Sequence, residues 1–205
     1  VKETMLHVGA AQIDITPAAG LPMDGYVARD GVSIGTHDPL LAQVLVLSDG
    51  DRRAALVALD VLGVSAALAD GLRRSVAEIL QSSSDTVMIG ASHTHCGPAG
   101  LRTLPGASPS MNWQLARMLQ NRVSEAAQNA LNSLRPARLT VTTGNVVGIG
   151  GDRNRRDRAV DSRLTVLRFD ADDGMPIAIL FHYGCHPTVL GAATRVYSAD
   201  FPGAA

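Results

Sequence analysis

The sequence is poor in several features that would point to particular classes of protein. Only 3% of its 205 residues are aromatic, so any pocket for an apolar ligand would be lined mainly by aliphatic side chains. The formal net charge of -1 gives no reason to expect a nucleic acid or an acidic membrane surface as a partner. No run approaches the roughly 18 uninterrupted apolar residues that span a bilayer. With 46% hydrophobic and 18% charged residues, the composition is that of a globular protein.

Cysteine is equally scarce, and its two positions are informative. Cys96 and Cys185 each directly adjoin a histidine. They could be buried thiols, a disulfide or additional metal ligands, and two residues do not settle the redox compartment. Buried thiols are the first expectation, because cysteine is among the residues most often found inside proteins.

The histidines carry the strongest functional signal. His93-Thr94-His95 follows an apolar run at 86–91 and precedes a Cys-Gly-Pro loop. In an extended segment alternate side chains share a face, so His93 and His95 should point the same way with Thr94 opposed. Two imidazoles at the point where a strand enters a loop favour a metal site over two polar residues that merely cap a strand.

A second histidine segment strengthens this interpretation. The apolar run at 175–183 contains His182 and leads into Gly-Cys-His186-Pro-Thr, so four of the six histidines lie in these two segments. Open α/β sheets bind ligands at the carboxyl ends of their strands, where loops from different strands meet. We therefore expect His93, His95 and His186 to converge.

The hydrophobic periodicity predicts one α/β domain, with a mixed β-sheet flanked by two principal helices and the histidine motifs at strand carboxyl ends. Besides a first strand at 6–13, it predicts two hairpins, with strands at 43–47 and 54–59 and at 164–169 and 177–183. Helical spacing is found at 65–81 and at 112–134, where Pro136 is expected to end the helix. The order strand, helix, strand from 54 to 91 predicts a parallel, right-handed crossover. The Gly/Pro-rich segments 20–37 and 97–110 are predicted to be irregular loops.

Several stretches together resemble the amino-terminal catalytic region of the neutral/alkaline (non-lysosomal) ceramidase family, in the family's order. They are GAAQIDITP at 9–17, THDPL at 36–40, HTHCGP at 93–98, NR at 154–155, the segment 161–170, CHPT at 185–188 and SAD at 198–200. The resemblance runs along nearly all of residues 1–205. Because the sequence stops in what reads as a loop, we expect this single domain to be the amino-terminal part of a longer catalytic domain.

The resemblance implies a zinc amidase that cleaves the N-acyl bond of ceramide or a related lipid amide. It implies that His93 and His186 bind Zn²⁺ and that His95 acts beside the metal as general base or acid. Arg155 would orient the substrate or its developing oxyanion. The family completes its zinc shell with a Glu and a Tyr from further along the chain, so the missing carboxyl-terminal region is expected to complete the site. It also implies contact with a lipid substrate, peripheral contact with a membrane and an extracytoplasmic location.

Four further residues are candidates for supporting roles at this site. Asp200 could orient a ligand histidine, or it could be a turn residue before Pro202. His37 could reach the site from its loop or simply serve the turn before Asp38. Cys96, which stands where many relatives have Ser, and Cys185 could supply soft ligands.

Other families and classes fit the sequence less well. Barrel amidohydrolases also use a His-x-His strand end, but they need eight strand–helix units. Metallo-β-lactamases need an Asp soon after the second histidine. A metal-independent hydrolase that pairs Cys96 or Cys185 with a histidine remains an alternative, as does a non-catalytic or incomplete ceramidase-like domain.

Overall fold

The computed structural model describes residues 5–102, 110–155 and 157–205. They form a mixed seven-stranded sheet, a separate two-stranded sheet and three α-helices. The strands are β1 (His7–Asp14), β2 (Gly35–Thr36), β3 (Leu41–Ser48), β4 (Arg53–Leu59), β5 (Val87–Ala91), β6 (Arg135–Asn145), β7 (Arg163–Ala171), β8 (Pro176–Tyr183) and β9 (Val196–Tyr197). The helices are α1 (Ala66–Leu80), α2 (Trp113–Asn132) and α3 (Asp200–Ala204).

The seven strands lie in the order β5-β4-β3-β1-β6-β7-β8. Strands β3 and β4 form an antiparallel hairpin, as do β7 and β8, so both predicted hairpins are confirmed. Strand β5 is parallel to β4, and α1 connects the two, which confirms the predicted crossover unit. The mixed sheet flanked by helices is therefore the fold class that the sequence predicts.

The ends of the two long helices have local causes in the sequence. Ser65 accepts a hydrogen bond from the Leu68 amide at the start of α1, and Asn112 accepts one from the Leu115 amide at the start of α2. The prediction that Pro136 ends the second helix was wrong. Helix α2 ends at Asn132, and Pro136 is the second residue of β6. Pro is tolerated there because it lies near the start of the strand.

Alternation along β3 divides the core between the two faces of the sheet. Val44 and Val46 pack in the main core with α1 and α2, whereas Leu45 packs with Val8 of β1 and Phe169 of β7. Since β6 pairs with β1 through only two residues, strands β6 to β8 can lie over the face opposite the helices. This arrangement lets the segment that follows β8 reach the end of the sheet where β5 ends.

The segment 20–37 is mostly irregular, as predicted, but it ends in β2, which pairs in parallel with β9. Of the predicted 97–110 loop, residues 103–109 lie outside the described residues. Within the described residues, no helix is long and apolar enough to cross a membrane.

Candidate metal centre

Three histidines converge at the ends of β5 and β8, as the sequence predicts. One ring nitrogen from each of His93, His95 and His186 lies within 4.8 Å of the others. The ring centroids are 5.1 Å apart for His93 and His95, and 4.5 Å apart for His95 and His186. The Nε2 atoms of His95 and His186 face each other at 2.6 Å. These side chains come from positions 91 residues apart in the sequence.

His93 is held by the backbone of the segment after β4. Its Nδ1 lies 2.6 Å from the Leu62 carbonyl oxygen, which can only accept a hydrogen bond. The proton must therefore be on Nδ1, which leaves the Nε2 lone pair free to bind a metal. His93 also has a φ of 66°, in the left-handed region that costs a non-glycine residue energy. The two imidazoles are adjacent, but they lie on a strained loop after β5 and not on the extended segment that the sequence predicts.

His95 is the buried member of the cluster. Burial, followed by the neighbouring His186 and His93 rings, lowers the pKa of His95 from 6.5 to about 4. Burial, together with the charges of His93 and Arg153, also lowers the pKa of His186. Both rings are consequently unprotonated at neutral pH, which is the form that binds a metal.

The donor set fits a metal ion such as zinc. Three imidazole rings are a ligand set that zinc accepts, and His93 has the outer hydrogen bond that commonly fixes a ligating histidine. In addition, Nδ1 of His95 is buried without a hydrogen-bond partner among the described residues, while its Nε2 faces Nε2 of His186 at 2.6 Å. The three nitrogens could hold a metal ion together.

Thr94, between the two histidines, connects their loop to a distant segment. It is completely buried, and its hydroxyl donates to the Ser198 carbonyl oxygen at 2.7 Å and accepts from the Cys96 amide. The histidine loop is thereby attached to the segment that precedes α3.

Asp200 supports the site through the backbone and not through a ring. Its buried carboxylate accepts hydrogen bonds from the amides of Val189, Leu190 and Phe201, at 3.3, 2.9 and 2.7 Å. It therefore fixes the loop that follows His186. Because the carboxylate contacts the loop backbone, its effect on His186 is indirect.

The other predicted residues lie at varying distances from the cluster. His37 is exposed and lies 2.6 Å from Asp38, whose carboxylate also accepts from Ser198 and Ala199. The Arg155 side chain is 68% exposed and pairs with Asp157 at 3.8 Å, so the predicted contact with substrate stays a prediction.

Both cysteines are free thiols, so the disulfide alternative is wrong. Cys96 is completely buried, and burial raises the pKa of its thiol. Its sulfur accepts a hydrogen bond from Arg29 at 3.7 Å. Cys185 is partly exposed, and its sulfur lies 3.9 Å from the His186 carbonyl oxygen.

The sequence analysis missed three residues that pack around the cluster. The Tyr26 ring lies edge-on to His95, with centroids 4.9 Å apart, and its hydroxyl donates to the Leu190 carbonyl oxygen. Behind it, Asp24 and Arg102 form an ion pair at 2.7 Å. The only available signal was the position of Asp24-Gly-Tyr26 in a glycine-rich loop, which does not specify a partner.

The chain was compared with known families and proteins. Residues 6–205 match the family model described as neutral/alkaline non-lysosomal ceramidase, N-terminal. The chain is 24% identical to the neutral ceramidase of Oryza sativa subsp. japonica, over 97% of this chain and 28% of that protein. It is 25% identical to the neutral ceramidase of Mycobacterium tuberculosis, over 97% of this chain and 35% of that protein.

Solved structures share the fold. The neutral ceramidase of Pseudomonas aeruginosa superimposes with a TM-score of 0.87 at 23% identity, covering 98% of this chain and 35% of the other. A ceramidase complexed with C2 gives a TM-score of 0.82 at 22% identity, covering 98% of this chain and 34% of the other. The chain thus spans roughly a third of the length of these relatives. Because the family model matches nearly the whole chain, the chain belongs to the neutral/alkaline non-lysosomal ceramidase family.

Proposed function

We propose that this chain is the amino-terminal part of a zinc-dependent amidohydrolase that cleaves the N-acyl bond of ceramide or a related lipid amide. The observation that carries the proposal is the convergence of His93, His95 and His186 at one end of the sheet. The similarity to proteins named neutral ceramidases supplies the substrate class. The rest of the metal shell would come from residues outside this chain.

His93 and His186 would hold the metal through their ring nitrogens. When bound, a zinc ion would act as a Lewis acid, which polarises a carbonyl group and lowers the pKa of water. The Leu62 carbonyl keeps the proton of His93 on Nδ1, so Nε2 is available without any change of tautomer. Asp200 keeps the loop after His186 in place by accepting hydrogen bonds from the amides of Val189 and Leu190.

His95 would handle protons in the reaction. Its pKa of about 4 keeps the ring neutral at pH 7, so Nε2 can accept a proton from the attacking water. Once protonated, the same nitrogen is acidic enough to deliver that proton to the leaving amine. The ring is buried and is held between Tyr26 and His186, which limits its motion between the two transfers.

Two arginines are candidates to meet the developing oxyanion. Arg155 is the residue that the family resemblance indicates, and it would have to leave Asp157 to do so. Arg153 is near enough for its charge to lower the pKa of His186. We propose Arg155 for this role, and Arg153→Ala is the matched control. Removal of an oxyanion donor lowers kcat by about a hundredfold or more, so Arg155→Ala should do this and Arg153→Ala should not.

The surroundings of the cluster suit an aliphatic substrate. Val27 follows Tyr26 and is 99% exposed, and Val189 precedes Leu190 and is 75% exposed. The hydrogen bond from Tyr26 to Leu190 joins the two segments that carry these valines. We propose these two valines as candidates for contact with the lipid chain. Contact with a membrane surface at this end of the molecule remains a prediction.

The test is hydrolysis of an N-acylsphingosine by the full-length protein, followed by mass spectrometry of the released amine and fatty acid. We expect turnover that stops on treatment with a chelator, returns with zinc, and is abolished by His93→Ala. Turnover that persists in the metal-free protein would contradict the proposal. Inactivation by a thiol reagent with zinc retained would instead favour the cysteine hydrolase, although a buried thiol with a raised pKa is a poor nucleophile.

A further inference from the structure

A buried ion pair lies behind the histidine cluster and takes no part in the proposed reaction. Arg102 donates from Nε to one carboxylate oxygen of Asp24 at 2.7 Å and from Nη2 to the other at 2.9 Å. Asp24 is only 8% exposed, whereas the Arg102 side chain is 24% exposed. The desolvation that such a pair costs is on the order of what its attraction returns, so the pair contributes little to stability. Its two parallel hydrogen bonds indicate that it holds the backbone around Asp24 in place.

The backbone of Asp24 is fixed from two further directions. Its amide donates to the Gly97 carbonyl oxygen at 3.0 Å, and its own carbonyl oxygen accepts from Arg29 at 2.9 Å. Its carboxylate also accepts the amide proton of Gly25 at 2.9 Å. The ion pair therefore determines where the Gly25 peptide lies.

Gly25 is in direct contact with the His95 ring. A Cβ atom added to Gly25 would lie 2.7 Å from Cβ and Cγ of His95, so no other residue fits without displacing the imidazole. The next residue, Tyr26, packs its ring against the same imidazole. With Nδ1 of His95 lacking a hydrogen-bond partner among the described residues, these contacts and the approach of its Nε2 to His186 at 2.6 Å orient the ring.

The same loop also reaches His186. The Tyr26 hydroxyl donates to the Leu190 carbonyl oxygen at 2.9 Å, and the Leu190 amide donates to Asp200 at 2.9 Å. Leu190 belongs to the loop that begins at His186. A continuous series of contacts thus runs from Arg102 to His95 and to the loop that follows His186.

We propose that the Arg102–Asp24 ion pair is a positioning device that presses the Gly25–Tyr26 peptide onto His95 and thereby sets the geometry of the three imidazoles. Arg102 and Asp24 are positioning residues, since neither touches the ring nitrogens. The proposal rests on the proposed metal site only in its consequence for zinc affinity. Its structural part, the orientation of His95, holds for the metal-free protein.

The experiment uses Asp24→Asn, Arg102→Met and Arg102→Lys in the full-length protein. Asp49→Asn is the matched control, because Arg52 also binds Asp49 with two nitrogens, at 3.1 and 2.9 Å, in the exposed turn between β3 and β4. Two quantities are measured at 25 °C. One is the set of histidine ring ¹H–¹⁵N resonances of the metal-free protein, and the other is the zinc Kd by competition with a chromophoric chelator.

We expect Asp24→Asn and Arg102→Met to shift the His95 ring resonances. Because Nε2 of His95 lies 2.6 Å from Nε2 of His186, a displaced His95 ring also disturbs that ligand, and the zinc Kd should rise by about tenfold, the lower end of the effect of an outer-shell partner. Arg102→Lys should have a smaller effect on both quantities, because it keeps the positive charge and loses only the bidentate hydrogen bonding to Asp24. The double variant Asp24→Asn/Arg102→Met should be no worse than the worse single variant, since the two residues act as one unit. Asp49→Asn should leave both quantities unchanged.

Unchanged His95 resonances in folded Asp24→Asn and Arg102→Met would overturn the proposal, as would equal shifts in Asp49→Asn. If either variant fails to fold, Arg102→Lys and Tyr26→Phe decide by the same two readouts, with thermal unfolding recorded for each. If the wild type binds no zinc, the proposed function fails, and the ring resonances alone still support or overturn the positioning role.

Discussion

The contact between Gly25 and His95 yields a quantitative prediction that isolates a single interaction. Gly25 has a φ of 105°, and an added Cβ would lie 2.7 Å from the His95 side chain. Gly20 in the same loop also has a φ of 105°, but nothing lies within 4 Å of its added Cβ. Gly25→Ala and Gly20→Ala therefore share the same backbone penalty and differ in the clash.

The size of the difference follows from these two terms. Alanine at a positive φ costs upwards of about 1 kcal/mol in the free energy of unfolding, and both variants incur this cost. Overpacking adds about 1–3 kcal/mol, and only Gly25→Ala incurs it. Urea unfolding of the metal-free proteins should therefore show Gly25→Ala to be about 1–3 kcal/mol less stable than Gly20→Ala. If the ring moves to relieve the clash, the loss appears instead as weaker zinc binding, about tenfold for each 1.4 kcal/mol.

The two readouts together make the prediction refutable. Zinc titration and urea unfolding are measured on both variants and on the wild type. Gly25→Ala should be less stable than Gly20→Ala, or bind zinc more weakly, or both. Equal stability and equal zinc affinity of the two variants would show that the Gly25 backbone does not support the imidazole.

Three further predictions concern the same region. Asp200→Asn keeps a residue that tolerates the left-handed backbone, but it replaces one carboxylate oxygen by an amide donor, for instance the oxygen that faces the Leu190 amide. Urea unfolding should show a loss of about 1–3 kcal/mol in the free energy of unfolding, and unchanged stability would contradict this role. The metal-free protein should lose stability as the pH falls from about 6.5 to about 4, because His95 binds a proton in this window in the unfolded chain and not in the folded one. If His95→Asn lost the same stability over this window, the loss would not be due to His95. A thiol reagent should label Cys185 in the folded protein and Cys96 only after unfolding, and mass spectrometry of the labelled peptides would expose the reverse order.

Most of the fold could be predicted because its signals are local. The turns between β3 and β4 and between β7 and β8 are polar and contain glycine, and α1 and α2 show helical spacing of apolar residues. The short β2 and β9 could not be predicted, because each has two residues and forms only by pairing with the other. The β-rich pattern after α2 begins at 138, whereas β6 begins at Arg135, so the pattern did not place Pro136 inside the strand.

The histidine cluster could be predicted in its members but not in its geometry. Each motif lies at a strand end, which suggested that they would meet, and they do. The positive φ of His93 and its hydrogen bond to Leu62 depend on the segment after β4, which is distant in sequence. The ion pair of Arg102 and Asp24 behind His95 could not be predicted for the same reason, since the two residues are 78 positions apart.

The most direct test of the account is the zinc content of the purified full-length protein after exhaustive dialysis, measured by elemental analysis. The comparison is between the wild type, the double variant His93→Ala/His186→Ala, and His7→Ala, whose Nδ1 lies 3.2 Å from the Met5 carbonyl oxygen and which is not a member of the cluster. If His93 and His186 bind the metal, we expect about one zinc per chain in the wild type and in His7→Ala, and none in the double variant. Zinc retained in the double variant, or absent from the wild type, would contradict the proposed metal centre.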